Sequence, residues 1–197
     1  MQISDINTFT EDLKMKKVVL LGDSIRLIGY GLKVGEMLGD EYEVWQPEDN
    51  CRFSKYTLLG CEEWAEGIKD ADVIHWNNGL WDVCNRFGDG AFSSKEEYVA
   101  NLLRIARILM RTTKNIIFAT TTPVHEGQAT IKNEVIDEYN EAAVSALSEI
   151  GVKINDLNAF VRPCIFEYVR EDDKMHLTDK GIDAAAREVA QVIKATV

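Results

Sequence analysis

The sequence has few of the features that divide a chain into separate units or anchor it in a membrane. It contains 3 prolines in 197 residues, no low-complexity linker and no internal repeat. No apolar run approaches the roughly 20 residues that a membrane-spanning helix needs. The N-terminus lacks a cationic segment followed by an apolar one, so we predict no secretory leader and expect a cytoplasmic protein. We therefore predict one domain over residues 1–197, with a polar N-terminal arm over 1–15.

Positive charge is also scarce. The chain has 22 Lys and Arg against 33 Asp and Glu, which gives a formal net charge of −11. A net negative field repels phosphate backbones and anionic lipid surfaces. The composition therefore predicts no nucleic-acid partner and no membrane partner.

Metal and cofactor motifs are missing as well. The four cysteines (Cys51, Cys61, Cys84 and Cys164) form no C-x-x-C pair and are not clustered with histidine at zinc-binding spacing. Free thiols are expected, and a Cys51–Cys61 disulfide stays open as an alternative. The sequence has no Walker A motif, no H-E-x-x-H and no dinucleotide fingerprint. We predict no cofactor and no metal.

The sequence does contain a regular alternation of short apolar runs and longer helical patterns. Strands are predicted at 17–21, 42–45, 72–77, 116–121 and 152–154. Helices are predicted at 25–38, 62–69, 94–111, 132–150, 157–168 and 178–195. This order predicts an α/β fold, a three-layer α/β/α sandwich with a five-stranded, mostly parallel sheet that is flavodoxin-like in outline.

Two short segments carry residues suited to catalysis. Ligands of an open parallel sheet bind outside the carboxyl ends of its strands, and Gly22-Asp23-Ser24 follows the first strand directly. Asp173 and His176 precede the last helix at a spacing that lets a carboxylate orient an imidazole. Alone, Ser24 could equally cap a helix, and Asp173 and His176 could be an ordinary surface pair.

Together, the two segments resemble the SGNH (GDSL-type) hydrolases. The matching blocks read Leu21-Gly-Asp-Ser24 and Asp173-Lys-Met-His-Leu-Thr-Asp-Lys-Gly181, and the resemblance spans about residues 16 to 197. It implies that Ser24 is the nucleophile, that His176 is the general base and then the general acid, and that Asp173 orients His176. It also implies an oxyanion hole built from the N–H of Ser24, a glycine N–H after the second strand and an asparagine side chain after the third.

The sequence departs from the family pattern in the last two oxyanion positions. After Asn50-Cys-Arg-Phe-Ser54 the chain has Lys55 where the family has glycine, so the N–H of Lys55 is the candidate donor. The third block reads Asn77-Asn78-Gly79, for which we choose Asn77 as side-chain donor with Asn78 as the alternative. Both asparagines would also suit a simple turn before Gly79.

Several other residues near these blocks have open assignments. Arg26 could contact a substrate or lie on a solvated helix face, and Trp76 and Trp81 could line a substrate pocket or fill the core. His75, in mid-strand, is expected in the core. His125 is expected in an exposed loop, with a place in the pocket lining as the alternative.

The resemblance implies a serine esterase that acts through an acyl-enzyme on Ser24. The absence of an obvious lid insertion favours a small acyl group, such as acetyl, on a small-molecule or carbohydrate ester. One alternative is an acyltransferase that uses the same three residues. The other is a non-catalytic carbohydrate-binding protein built on a hydrolase scaffold.

Overall fold

A computed structural model describes residues 14–197, so most of the predicted N-terminal arm lies outside the described residues. The strands of its sheet are β1 (Lys16–Leu21), β2 (Tyr42–Trp45), β3 (Val73–Asn77), β4 (Ile116–Ala119) and β5 (Lys153–Asn155). They lie in the order β2-β1-β3-β4-β5, and each neighbouring pair is parallel. The predicted five-stranded α/β fold is therefore confirmed, with a described sheet that is wholly parallel.

Nine α-helical segments accompany the sheet in the described part of the chain. They are α1 (Ser24–Leu27), α2 (Val34–Leu38), α3 (Ser54–Glu63), α4 (Ala65–Ile68), α5 (Lys95–Leu109), α6 (Asn133–Glu149), α7 (Leu157–Val161), α8 (Ile165–Tyr168) and α9 (Asp179–Lys194). Two of the longer helices have a side-chain cap at the residue where the predicted helix starts, since Ser94 Oγ accepts from Glu97 N–H and Thr178 Oγ1 accepts from Gly181 N–H. No described helix is both long enough and apolar enough to cross a membrane.

The helices cover both faces of the sheet. The chain moves in one direction from β1 to β2 and in the opposite direction from β2 through β5, and right-handed crossovers put the two sets of connections on opposite faces. Accordingly, α3 packs against α5 and α5 against α6, whereas α9 packs against α2. The central strands β3 and β4, buried along their whole length, form the middle of the core between these layers.

Three predicted helices differ from the structure. The helix expected over 157–168 is divided into α7, a 3-10 turn over Arg162–Cys164 that contains Pro163, and α8. The helix expected over 25–38 is interrupted after α1, because Gly29 adopts φ −123° and ψ −124°, well outside the helical region. The helix expected over 62–69 is instead the short α4 (Ala65–Ile68) together with the last two residues of α3, a separate helix that begins at Ser54. Its start depends on Asp82, which accepts hydrogen bonds from Ser54 N–H (2.9 Å) and Ser54 Oγ (2.7 Å). Because that acceptor lies 28 residues along the chain, the local pattern around Ser54 could not indicate it.

Candidate active site

Ser24 stands at the carboxyl edge of the sheet, at the first turn after β1. Asp23 caps the short helix α1 by accepting from Ile25 N–H at 2.9 Å, which makes Ser24 the first helical residue. Gly22 is required here for a close approach, since a Cβ at this position would lie 2.0 Å from Asn77 Oδ1. The glycine thus lets the turn that carries Ser24 lie directly against the end of β3.

Asp173 and His176 lie on a tight loop that precedes α9. Val169 and Leu177 form an antiparallel bridge at its base, and Arg170 N–H donates to His176 O at 2.8 Å. Lys174 turns the loop with φ +64°, and its carbonyl accepts from His125 N–H at 3.0 Å. The loop is therefore held both by its own backbone and by the segment that follows β4.

The structure brings the three residues of the two blocks into one hydrogen-bonded series. His176 Nε2 lies 2.8 Å from Ser24 Oγ, and His176 Nδ1 lies 2.9 Å from Asp173 Oδ2. The other Asp173 oxygen accepts from the backbone N–H groups of Met175 and His176, each at 2.9 Å. An imidazole that donates from Nδ1 to a carboxylate keeps Nε2 free to accept from a hydroxyl. The arrangement can therefore draw a proton from Ser24.

Asp173 is stabilised as a carboxylate. Burial alone would raise its pKa, but the hydrogen bonds from the His176 and Met175 N–H groups and from the imidazole outweigh burial, so the pKa lies below its usual range. The neighbouring Asp172 is engaged elsewhere, since both of its oxygens accept from the Arg170 guanidinium, which lowers the pKa of Asp172 to about 2. Of the two adjacent carboxylates, Asp173 is the one bonded to the imidazole.

Ser24 and His176 face a cavity of about 350 Å³. Apolar and polar side chains both contribute to its wall, and Trp81, which packs edge-on against Phe53, is among them. The complete lining is Ser24, Asn50, Leu80, Trp81, Cys84, Arg86, Gln128, Thr130, Ile131, Met175 and His176.

The two asparagines predicted for the oxyanion hole are buried and are not among the residues that line this cavity. Asn77 Nδ2 donates to Asp23 Oδ1 at 2.9 Å, and its Oδ1 accepts from Tyr30 at 2.8 Å. Asn78 Nδ2 donates to Arg52 O at 2.9 Å, and its Oδ1 accepts from Trp76 Nε1 at 3.1 Å. Each amide nitrogen has a second N–H with no acceptor among residues 14–197, and the predicted role would have to use that hydrogen.

The two backbone donors predicted for the oxyanion hole differ in their position relative to the cavity. The N–H groups of Ser24 and Lys55 have no acceptor in the part of the chain that the structure describes. Ser24 lines the cavity, whereas Lys55, in the first turn of α3, is not among the lining residues. As oxyanion donors, Ser24, Lys55, Asn77 and Asn78 remain predictions.

Asp23, next to the serine, lies in a fully buried polar network. Its Oδ1 accepts from both Ile25 N–H and Asn77 Nδ2, while its Oδ2 has no partner among the described residues. Burial raises the pKa of Asp23 despite the hydrogen bonds from Asn77 and Ile25 and the nearby positive charge of Arg26. The network fixes the Asn77 amide and thereby joins the end of β3 to the turn that carries Ser24.

The structure contradicts both of the roles considered for Arg26. The side chain is completely buried rather than exposed to substrate or solvent. Its guanidinium donates to the carbonyl oxygens of Gly22 (3.0 Å), Pro47 (2.8 Å) and Asp49 (2.6 Å). Arg26 therefore holds the segment after β2, which includes Asn50, against the turn after β1.

The histidines outside the series have structural contacts. His75 is buried in β3 as expected, and burial lowers its pKa to about 3, so it is a neutral core residue. His125, expected in an exposed loop, is instead buried, because Nε2 bonds Val169 O at 3.0 Å and the ring packs against Phe166. Trp76 is a core residue against Phe118, whereas Trp81 lines the cavity.

Several cavity residues were not singled out from the sequence, above all Asn50, Arg86 and Gln128. Asn50 lies in the second block, which is a signal that could have identified it. Arg86 and Gln128 lie in irregular segments without a motif, and only the folded chain brings them to the cavity. In residues 14–197 no group of three or more His, Cys, Asp or Glu side chains is placed to hold a metal ion, and the four thiols are free.

No protein-family model matches the chain. An N-acetylneuraminate (7)9-O-acetyltransferase from Danio rerio is 26% identical over 202 residues, covering 88% of this chain and 25% of that protein. The chain thus spans about a quarter of the length of this curated relative.

Solved structures of similar shape cover nearly the whole chain. A lipase/acylhydrolase from Enterococcus faecalis matches with a TM-score of 0.73 and 18% identity, covering 92% of this chain and 96% of that one. An acetylxylan esterase from Geobacillus stearothermophilus matches with a TM-score of 0.73 and 17% identity, covering 90% and 94%. A GDSL-like lipase from Bacteroides thetaiotaomicron matches with a TM-score of 0.70 and 17% identity, covering 92% and 89%. The chain therefore has the fold of the GDSL-type (SGNH) hydrolases, and the resemblance indicated by its motifs is confirmed at the level of the fold.

Proposed function

We propose that the chain is a serine esterase that hydrolyses a small acyl ester, with acetyl as the acyl group and a carbohydrate as the alcohol. The observation that carries the proposal is the hydrogen-bonded series Ser24–His176–Asp173 at the wall of a cavity. A serine hydroxyl is a weak nucleophile at neutral pH, and a base within about 2.6–3.2 Å activates it. The Ser24–His176 distance of 2.8 Å meets that requirement.

Acylation begins when Ser24 Oγ attacks the ester carbonyl carbon and its proton passes to His176 Nε2. The carbonyl oxygen becomes an oxyanion, which the Ser24 N–H and the predicted donors from Lys55 and Asn77 or Asn78 stabilise. When the intermediate collapses, Nε2–H gives its proton to the departing alcohol oxygen, and the acyl group remains on Ser24. Asp173 stabilises the imidazolium that exists between these two proton transfers.

Deacylation repeats the sequence with water as the nucleophile. His176 Nε2 takes a proton from water, the resulting oxygen attacks the acyl carbon, and the second collapse returns the proton to Ser24 Oγ. The products are a carboxylic acid and an alcohol, and the enzyme regains its starting protonation state.

The size of the cavity supports a small substrate. Its volume of about 350 Å³ is at the lower end of the roughly 300–1,000 Å³ that small-molecule sites occupy. A short acyl chain together with one sugar-sized alcohol fits such a volume better than a long fatty acyl chain does. The acetylxylan esterase among the similar structures supports an acetylated carbohydrate.

Acyl transfer is the second candidate, and the acetyltransferase relative is the observation that favours it. The acyl-enzyme on Ser24 would be the same, and a sugar hydroxyl would replace water in the second half of the reaction. Analysis of products in the presence of competing alcohols distinguishes the two activities. Hydrolysis gives free acid throughout, whereas transfer gives a new ester whose yield rises with the concentration of the alcohol.

The test compares p-nitrophenyl acetate, butyrate and octanoate as substrates of the wild type and of Ser24→Ala. We expect the wild type to turn over the short esters and Ser24→Ala to lose at least about 10³-fold in kcat. Ser145→Ala, an exposed serine on α6, is the matched control and should retain full activity. Equal turnover by the wild type and Ser24→Ala would contradict the proposal. If no ester is cleaved, failure of a fluorophosphonate to label Ser24 would favour the non-catalytic carbohydrate-binding protein.

A further inference from the structure

The charged side chain that lines the cavity has the opposite sign to the net charge of the chain. Acidic residues outnumber basic ones by 33 to 22 in the sequence, yet no Asp or Glu is among the cavity-lining residues. Arg86 is the one Lys or Arg in that lining. In the described residues no carboxylate lies within 4.0 Å of its guanidinium, and the side chain is exposed. Arg86 therefore has its charge available to a ligand.

Two lining residues, Asn50 and Gln128, carry amide groups whose donors are unused within the described residues. Asn50 Oδ1 accepts from Arg52 N–H at 2.8 Å, and Gln128 Oε1 accepts from Thr130 N–H (2.6 Å) and Ile131 N–H (2.7 Å). Because backbone N–H groups can only donate, these contacts fix which end of each amide is oxygen. The oxygens are thus used inside the protein, and the NH₂ groups of Asn50 and Gln128 have no acceptor in the described residues.

The rest of the wall adds no formal charge. Leu80, Trp81, Ile131 and Met175 are apolar or present an aromatic ring, and the neutral Thr130 hydroxyl donates to Gln128 Oε1 at 3.3 Å. A wall with one unpaired guanidinium, two amide donors without an acceptor and no carboxylate complements an oxygen-rich anion.

From this wall we infer that the site takes esters whose alcohol part carries a carboxylate, and that Arg86 binds this carboxylate. The inference rests on the proposed esterase or acyltransferase function of the same site. A guanidinium presents parallel N–H groups that match the two oxygens of a carboxylate and supplies the single charge needed to balance it. A sugar acid with an O-acetyl group is the simplest ligand of this kind.

The experiment uses acetyl esters of ω-hydroxy acids, 4-acetoxybutanoate and 6-acetoxyhexanoate, each compared with its neutral primary amide. The two chain lengths place the carboxylate at different distances from Ser24, where the acetyl group is bound. We expect the wild type to prefer the acid over the amide in kcat/KM by about five- to tenfold for at least one length. The preference should decrease at high ionic strength, because Arg86 is exposed.

Arg86→Met should bring the ratio of kcat/KM for the acid to kcat/KM for its amide down to about one, with both values measured on the same variant. Arg104→Met is the control, since Arg104 is exposed on α5, lies outside the cavity lining and changes the net charge equally. Absence of the preference at both lengths, or its persistence in Arg86→Met, would overturn the inference. The proposed function fails on a separate result. It is contradicted if the wild type and Ser24→Ala cleave the acetyl ester of the neutral substrates at the same rate, or if neither cleaves it.

Discussion

His176 Nε2 lies 2.8 Å from Ser24 Oγ, although 152 positions separate the two residues in the chain. Each partner is fixed by its own set of contacts. The Ser24 turn is held by Asp23, Asn77 and Arg26, and the His176 loop by Arg170, His125 and the bridge at its base. The distance between the two side chains therefore depends on two separate local structures, and each can be tested by substitution.

Asp173→Asn should abolish most ester turnover without unfolding the protein. If the amide oxygen keeps the backbone bonds from Met175 and His176, the NH₂ group faces His176 Nδ1. The imidazole then carries its proton on Nε2 and cannot accept one from Ser24. We expect kcat to fall by about 10³–10⁴-fold, measured with p-nitrophenyl acetate.

Asp172→Asn provides the matched control for that variant. The same chemical change is made one residue earlier, on an exposed carboxylate paired with Arg170 instead of the imidazole. Its activity should remain within about threefold of the wild type. A large loss in Asp172→Asn with a small one in Asp173→Asn would reverse the assignment.

Asn77→Ala should lower kcat by about 10²–10³-fold if the second N–H of Asn77 contributes to the oxyanion hole. Tyr30→Phe separates this role from a purely structural one, because it removes the hydrogen bond to Asn77 Oδ1 and leaves the amide hydrogens in place. Tyr30→Phe should therefore lose stability with a much smaller loss of kcat. A fully active Asn77→Ala variant would shift the prediction to Asn78.

Asp82 should make stability depend on pH in the mildly acidic range. Burial raises the pKa of its carboxyl to about 6 in the folded protein, against an ordinary value near 3.8. The folded state thus binds the proton more tightly than the unfolded state does. The contribution of this group to stability is complete below about pH 4 and is lost as the pH rises through 6, by up to about 3 kcal/mol.

Chemical denaturation of the wild type and Asp82→Asn between pH 4 and 7 measures this contribution. The difference between their unfolding free energies should change with pH, because Asn cannot titrate. Asp89→Asn, an exposed carboxylate on the following loop, should leave the pH profile of the wild type unchanged. Parallel profiles for the wild type and Asp82→Asn would contradict the raised pKa.

Arg26→Met should destabilise the fold, since three carbonyl oxygens on two segments lose their shared donor. An unsatisfied buried polar group costs about 1–3 kcal/mol, so we expect a loss of at least about 2 kcal/mol in urea unfolding. Arg104→Met should change stability by less than about 0.5 kcal/mol. Equal stabilities of the two variants would show that water replaces the guanidinium without cost.

The sheet and the series Ser24–His176–Asp173 have strong local signals in the sequence. Short apolar runs that stop at turn residues predict the five strands, and Asp173 and His176 are three residues apart. These signals are local because each one can be recognised within a few consecutive residues: an apolar run for a buried strand, and a spacing of three for the carboxylate and the imidazole. The juxtaposition of Ser24 with His176 follows from the resemblance and the parallel topology rather than from spacing.

The features that sequence reasoning missed depend on distant partners. Helix α3 begins where Asp82 provides acceptors, Arg26 is buried because carbonyl groups after β2 surround it, and His125 is covered by the loop that bears His176. The amide hydrogens of Asn50 and Gln128 are directed by backbone contacts that no composition rule describes. A pattern in one segment cannot report such contacts, because the partner that decides them lies elsewhere in the chain.

The loop that bears Asp173 and His176 lies just before α9 and is therefore synthesised late. A ribosome makes the Ser24 turn almost first and the His176 loop almost last among the described elements. If Ser24 and His176 act as proposed, a nascent chain that already exposes the serine has no base to activate it, and proteolytic loss of the segment after β5 would remove that base. Under the proposed mechanism, activity requires that translation has passed His176 and that the turn after β1 has met the loop before α9.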